Sequence, residues 1–399
     1  MPPQTKDGYP SVTNNPAGVT VTSSIHVYPA KRDHILKTPE IWLRGKKEDD
    51  NVYPYWRIYD KLYDFSDFIN THPGGKFWLE ETRGMDITES FESSHFSNLP
   101  EKMLQKYFIK NTNAPRTTSF TFNEDGFYKT LKRKAVKILK ENGGTAPTNE
   151  MKFVLDSLVV AFFVFMFLAA IYSNYYFAVI SGISLACAGT AAHNFFHLRD
   201  NWRMYAFDLG IMSSRDWRIS HALSHHIFPN TIYDFEASGV EPLFQFFPSN
   251  KKSLLYFITL IPKIVIFMPI DFHLEFIKNI MLMFIGKRKI MFPDFFPIFQ
   301  LIAMIWFVIH MIGNFIIHFF GLQAAHHHSH IFHEGDRYPN DKDWGLLQRR
   351  SIFPRSPFPN SRILRKSHIT SLVSNLLPFE ALPSTGCFPG YMQRIWDQF

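Results

Sequence analysis

The chain of 399 residues is predicted to be multi-domain: a small α+β domain followed by an all-α transmembrane domain of about four membrane helices plus interfacial helices. Three observations predict this. Short aromatic-rich segments broken by turns fill residues 38–111, the pattern of a compact unit with strands and small helices. Apolar stretches of bilayer length follow, from Met151 to Ala192 and between Leu254 and Gly321. Histidines gather at or near the ends of those stretches, where imidazole is costly to leave without a partner.

Composition narrows the function classes. Aromatic residues reach 17 %, and 42 residues are Phe, which suits lipid-facing and acyl-facing surfaces. The net charge of +7 is concentrated in Lys132-Arg133-Lys134 and Lys287-Arg288-Lys289. With no zinc-finger spacing or nucleic-acid fold signature beside these clusters, membrane lipids are the expected partner and nucleic acid is not. The two cysteines, Cys187 and Cys387, define no disulfide framework and fit a reducing, cytosol-facing setting. Residues 1–37 begin with a stretch rich in Pro, Ser, Thr and Asn, lack the apolar core of a secretory signal, and are expected to be disordered in the cytosol.

Taken in order, residues 38–111 form the first domain, in which Tyr55 to Phe65 reads as a hairpin leading into a helix. Phe68 and Ile69 then lead into the turn His72-Pro73-Gly74-Gly75. Residues 112–150 are a linker with a basic amphipathic helix: Phe127, Leu131, Ala135 and Ile138 fall opposite Lys129, Lys132, Arg133, Lys137 and Lys140, ahead of Gly143-Gly144. Two placements are equally open for that helix, on a membrane surface or against the soluble domain. Residues 151–345 form the membrane domain. Met151 to Ala192 is long enough for two crossings with a break near Ser173-Asn174, which returns His193 to the side where the chain began. Two further crossings, about Leu254–Ile270 and Phe295–Phe319, keep all the histidine boxes on one side. They put Lys287-Arg288-Lys289 on the lumenal side, against the positive-inside tendency, so a shallow re-entrant hairpin is the substitute. The Pro-rich residues 346–399 are predicted to form a cytosolic cap.

The turn at His72 brings backbone close to whatever its imidazole holds, because Gly-Gly adds no side chain there. His95 follows 23 positions later, after Ser90-Phe91-Glu92. Two axial histidines saturate a haem iron, so such a pair makes a single-electron relay and no oxygen site. The bland alternative is a His-Pro turn with an unrelated surface histidine. From Pro39 to Lys110, including the Trp56 strand and the Phe91-Glu92 approach to His95, the segment resembles cytochrome b5. The resemblance implies heme b held by His72 and His95, and NADH-cytochrome b5 reductase as the electron donor. Asp86, Glu89 and Glu92 are candidates for docking a basic reductase, with a solvated charged face as the alternative.

Three histidine boxes follow: His193-Asn-Phe-Phe-His197, His221-Ala-Leu-Ser-His225-His226, and Gln323-Ala-Ala-His326-His327-His328-Ser329-His330. Histidines four apart on a helix project from one face, so His193/His197 and His221/His225 can each grip a metal, with His226 offset toward a second ion. One such pair is weak evidence; three boxes with membrane spans between them are strong. Together with Trp217-Arg218-Ile219-Ser220-His221, Pro229-Asn230 and Asp234, they resemble membrane fatty-acid desaturases and related lipid hydroxylases. That resemblance implies two non-heme iron ions held by His193, His197, His221, His225, His226, His326 and His327, with O2 as co-substrate. His328 and His330 permit another register of the third box. Gln323-x-x-His326-His327 matches the front-end desaturases, which carry an N-terminal cytochrome b5 domain. Two departures from that pattern, Asn194 in the first box and only 24 positions between His197 and His221, leave ligation intact and the substrate unspecified.

Other histidines are expected to be structural. Asn314 and His318 form an i, i+4 pair suited to a helix-packing hydrogen bond, with further ligation as the alternative. His273, His310 and His333 belong to no box, and His368 is expected at the surface. Zinc cannot cycle its redox state and iron can, so attack on an acyl C–H bond points to iron. The expected function is a desaturase-like membrane oxidoreductase acting on a lipid or acyl-CoA substrate, in which the haem domain swings over the metal site to deliver electrons. The alternatives are a lipid hydroxylase and a membrane-tethered electron carrier without catalysis. The expected location is the endoplasmic reticulum, with haem domain and metal site facing the cytosol.

Overall fold

The computed structural model describes residues 25–352, except 97–98, 142–145, 242, 248–253, 289, 296–305, 319–330 and 333–340. Thr38 starts the first helix, α1 (Pro39–Asp50), by accepting a hydrogen bond from the Ile41 N–H, and Pro39 fits the first turn, where no intrahelical donor is needed. The predicted hairpin is present as β1 (Trp56–Ile58) and β2 (Lys61–Tyr63), antiparallel with Trp56 opposite Tyr63. A third strand, β3 (Phe108–Asn111), pairs with β2 and completes a three-stranded sheet in the order β1-β2-β3. Between the strands lie α2 (Lys76–Glu81), α3 (Thr88–Ser94) and α4 (Leu99–Tyr107). Trp56, Ile58, Phe65, Leu79 and Phe91 are buried in one apolar cluster, which also takes in Ile219 and Leu223 from far along the chain. The first domain therefore shares its core with the second histidine box.

Helix α5 (Phe127–Glu141) is the predicted basic helix, and its placement is against the first domain. Lys129 and Lys132 pair with the buried Glu92 carboxylate at 2.8 and 3.3 Å, and the Tyr128 hydroxyl donates to the Glu92 carbonyl at 2.8 Å. The apolar side of α5 is used too: Tyr128 packs edge-on against Trp344 of α10, the helix Trp344–Ile352. Asp86, Glu89 and Glu92 consequently offer no docking face. All three are buried, with Arg116 on Asp86 and Glu89 and the two lysines on Glu92.

The apolar hairpin breaks where predicted, at Ser173-Asn174. Helices α6 (Asn149–Tyr172) and α7 (Tyr175–Phe196) are each long and apolar enough to cross a bilayer. Ser173 takes a left-handed conformation at the break, and Asn174 caps α7 by accepting from the Tyr176 N–H at 2.8 Å. Helix α6 is peripheral, with Val160, Val164, Phe167 and Ile171 exposed along it, whereas α7 turns Ala178, Ser181, Gly182, Leu185, Ala188 and Ala192 inward. Those small residues allow close approach: a Cβ on Gly182 would meet the Ile309 carbonyl oxygen at 2.9 Å. Ile309 belongs to α9 (Trp306–Ile316).

The next helix departs from expectation. Helix α8 (Leu260–Phe284) runs through Pro269 for 25 residues and does not stop near Ile270. Arg288, beyond its end, bonds Asp294 at 2.9 Å, Ser213 at 3.2 Å and Asp216 at 3.4 Å. Ser213 and Asp216 shortly precede the second box, so Arg288 lies beside the second box and not apart from it as parity implied. The helix carries Asp271, His273, Glu275 and Lys278, too many polar groups for the simple crossing inferred from parity.

Candidate haem and metal centres

His72 ends a short 3-10 turn at Ile69–Thr71, and its Nδ1 donates to the Gly75 carbonyl at 2.9 Å. His95 follows α3, and its Nδ1 donates to the Phe91 carbonyl at 2.9 Å. Both bonds leave Nε2 as the free ligating nitrogen, the arrangement that second-sphere acceptors impose on metal-binding imidazoles. The ring centroids stand 6.3 Å apart, which leaves room for one ion bonded at about 2 Å on each side. Burial holds both imidazoles neutral, that of His95 down at about 4. Around them is a cavity of about 470 Å³ walled by Phe65, Phe68, Leu79, Phe91 and Leu104, apolar and large enough to enclose much of a flat macrocycle. Gly74 and Gly75 keep it open: a Cβ on Gly74 would come within 3.0 Å of the His72 ring, and Gly75 has φ +95°. The residues fit haem.

The first box lies where α7 ends, and the His193 and His197 Nε2 atoms are 3.0 Å apart. The second box is wound more widely than an α-helix. Arg218–His225 is a π-helix, and the His226 N–H reaches the His221 carbonyl at 2.7 Å, five residues back. That winding corrects the pairing expected from four-residue spacing, because residues five apart now share a face. His221 and His226 join His193 and His197, with one ligand atom from each of the four rings within 4.8 Å of every other. His225 is the offset member.

Carboxylates orient both rings. Glu236 accepts from His221 Nδ1 at 2.7 Å, and Asp234 accepts from His225 Nδ1 at 2.8 Å. Asp234 is itself fixed, accepting backbone N–H bonds from Asn230 and Glu236 at 2.7 and 3.0 Å. Burial drives the His221 imidazole toward its neutral form; at His225 burial is outweighed by Asp234 and Glu236, which hold it up at about 9. His221 Nε2 is buried with no hydrogen-bond partner among the described residues, a cost that a metal ion removes. The donor set fits a metal of imidazole preference, iron included.

His225 borders a second cavity of about 400 Å³, together with Glu236, Asp271, Phe272 and His318. His318 Nε2 bonds Asp271 at 2.9 Å, while the Asn314 side-chain amide donates to the Pro269 carbonyl at 3.3 Å and bonds His273 at 3.2 Å. The pair thus links α9 to α8, as a helix-packing role requires. His310 bonds the Leu209 carbonyl at 3.0 Å. His326, His327, His328 and His330 lie outside the described residues, as do His333 and His368. Sequence reasoning missed Glu236, Asp271 and the arginines described next. The acidic spacing Asp234-Phe235-Glu236 after the second box was the available signal for the first of these.

The haem domain is docked on the second box. Arg218 is buried and donates to the Phe196 and Leu198 carbonyls at the first box, pairs with Asp200, and places its guanidinium 4.8 and 5.2 Å from the Phe77 and Trp78 rings of α2. Arg215 pairs with Glu81 at 2.8 Å, Trp42 donates to the Tyr233 carbonyl at 2.8 Å, and the Tyr233 hydroxyl donates to Asp49 at 2.8 Å. The haem cavity reaches His197 and His226, so the two centres adjoin.

Comparison with known proteins agrees with this division. A family described as cytochrome b5-like heme/steroid binding domain matches residues 42–112. Over 212 residues the chain is 27% identical to the probable Delta(5) fatty acid desaturase C of Dictyostelium discoideum, covering 47% of this chain and 45% of that one. No solved structure matches. The class is therefore a cytochrome b5 domain fused to a helical, desaturase-like region. Over 358 residues the chain is 36% identical to the cytochrome b5-related protein of Drosophila melanogaster, covering 86% of this chain and 82% of that protein. The Drosophila virilis counterpart is 45% identical over 113 residues, 28% of this chain and 79% of that one. The chain belongs to the cytochrome b5-related protein family.

Proposed function

We propose that this protein is a membrane lipid oxidoreductase of the endoplasmic reticulum, with a haem domain over residues 38–111, a membrane domain over 151–345, and both centres on the cytosolic face. Haem b supplies single-electron transfer and a pair of iron ions supplies O2 activation against an unactivated acyl C–H bond. The observation that carries this reading is the gathering of His193, His197, His221 and His226 beside the cavity that holds His72 and His95. Glu236 and Asp234 orient the His221 and His225 rings through Nδ1, a metal ion at His225 displacing its Nε2 proton, and His326 and His327 complete the ligand set from the third box. The apolar wall of Phe244, Phe267 and Phe272 in the second cavity suits a lipid chain. NADH-cytochrome b5 reductase is the expected electron donor, and acyl lipid or acyl-CoA the substrate class.

A membrane-tethered carrier without catalysis would not need several imidazoles buried in carboxylate-oriented positions. Lipid profiles of cells expressing the parent and the His225→Ala variant decide between them. Catalysis predicts an unsaturated or hydroxylated species present with the parent and missing with the variant, and its identity separates desaturation from hydroxylation. Identical profiles contradict catalysis.

A further inference from the structure

The haem-sized cavity is not closed by the haem domain alone. His72, Phe91 and His95 line it from one side; Leu198, Arg199, Ala222, Leu223 and His226 line it from the other. Leu223 is buried in the same apolar cluster as Trp56, Leu79 and Phe91. Arg199, two residues beyond the first box, lies against the turn that follows His72. A Cβ on Gly75 would meet the Arg199 Cγ at 3.3 Å and Cα at 3.5 Å, and Gly75 has φ +95°, a conformation that favours glycine.

Haem b carries two carboxylates on its rim, and enclosing them in an apolar space without a counter-charge is costly. Among the described residues lining the cavity, Arg199 is the one lysine or arginine. Its guanidinium has no ion pair among the described residues. We infer that Arg199 binds a haem carboxylate, making the haem site a shared one in which the membrane domain supplies both a wall and the anion-binding group. The inference rests on the assignment of haem to His72 and His95. Arginine suits the task because its planar fork matches a carboxylate, and Arg199 is exposed, so it lines the cavity at its solvent edge.

Haem transfer from the purified full-length protein to an excess of a haem-scavenging apoprotein tests this, using haem b and its dimethyl ester in parallel. Arg199→Gln is expected to lose haem b about three- to tenfold faster than the parent, on the scale of one charge-assisted hydrogen bond. Arg199→Lys is expected to recover part of the difference, and Lys110→Gln, at an exposed site outside the cavity, to match the parent. With the dimethyl ester, which has no carboxylate, parent and Arg199→Gln are expected to lose the ligand at one rate. Equal rates with haem b overturn the inference, and so does a difference that persists with the ester, since that marks a merely structural role. A parent protein that takes up no haem overturns the assignment beneath it.

Discussion

The rings of His221 and His226 lie 4.1 Å apart, centroid to centroid, although they are five positions apart in sequence, while His225 is turned to Asp234. The π-turn beneath them causes this. It predicts unequal roles within one box: His226→Ala removes the ion held with His193, His197 and His221, whereas His225→Ala leaves those four nitrogens in place. Titration of one metal equivalent into each metal-free variant checks the split: His225→Ala should still bind it tightly at the four-histidine site and His226→Ala should not. Equal weakening in both contradicts it.

Glu236 holds His221 through Nδ1 without belonging to any box. Partners of this kind typically govern metal affinity by 10–100-fold. Glu236→Gln is expected to weaken iron retention by roughly that factor in a chelator competition, with the haem spectrum unchanged.

Arg218 joins three segments: the carbonyls ending the first box, the start of the second, and the aromatic face of α2. Arg218→Met leaves the Phe196 and Leu198 carbonyls without their donor, and a loss of about 1–3 kcal/mol is expected for buried acceptors left unsatisfied. Arg218→Lys is expected to recover little, since an ammonium reproduces neither the fork nor the stacking. Denaturant unfolding measures the loss, and faster proteolysis between the two domains reports the released docking.

His95 is held neutral down to about 4 by burial, against an ordinary value of 6.5. The unfolded chain therefore takes up this proton first as pH falls. The contribution of His95 to stability is complete above pH 6.5 and disappears as pH falls toward 4. In the haem-free protein, the stability difference between parent and His95→Asn is expected to shrink across that window by on the order of 3 kcal/mol. Urea midpoints at successive pH values measure it, and a pH-independent difference contradicts it.

Much of this was legible in the sequence. The His-Pro-Gly-Gly turn with His95, the strand at Trp56, and the hairpin broken at Ser173-Asn174 all have local causes: glycine geometry, alternation and apolar length. What failed depended on distant partners. Spacing alone paired His221 with His225, since the choice of a π-turn over an α-turn is not written in residue type. Parity put Arg288 on the side away from the histidine boxes, against its charge, whereas its partner Asp216, 72 positions away, lies just before the second box. The basic face of α5 suits lipid headgroups and the buried Glu92 equally well, and only packing shows the second.

The most direct test is the metal and haem content of the purified full-length protein. The account predicts one haem with a bis-histidine spectrum and two non-haem irons per chain, the haem lost in His72→Ala and the irons lost when the boxes are substituted. A chain that binds haem and carries no non-haem iron would contradict it.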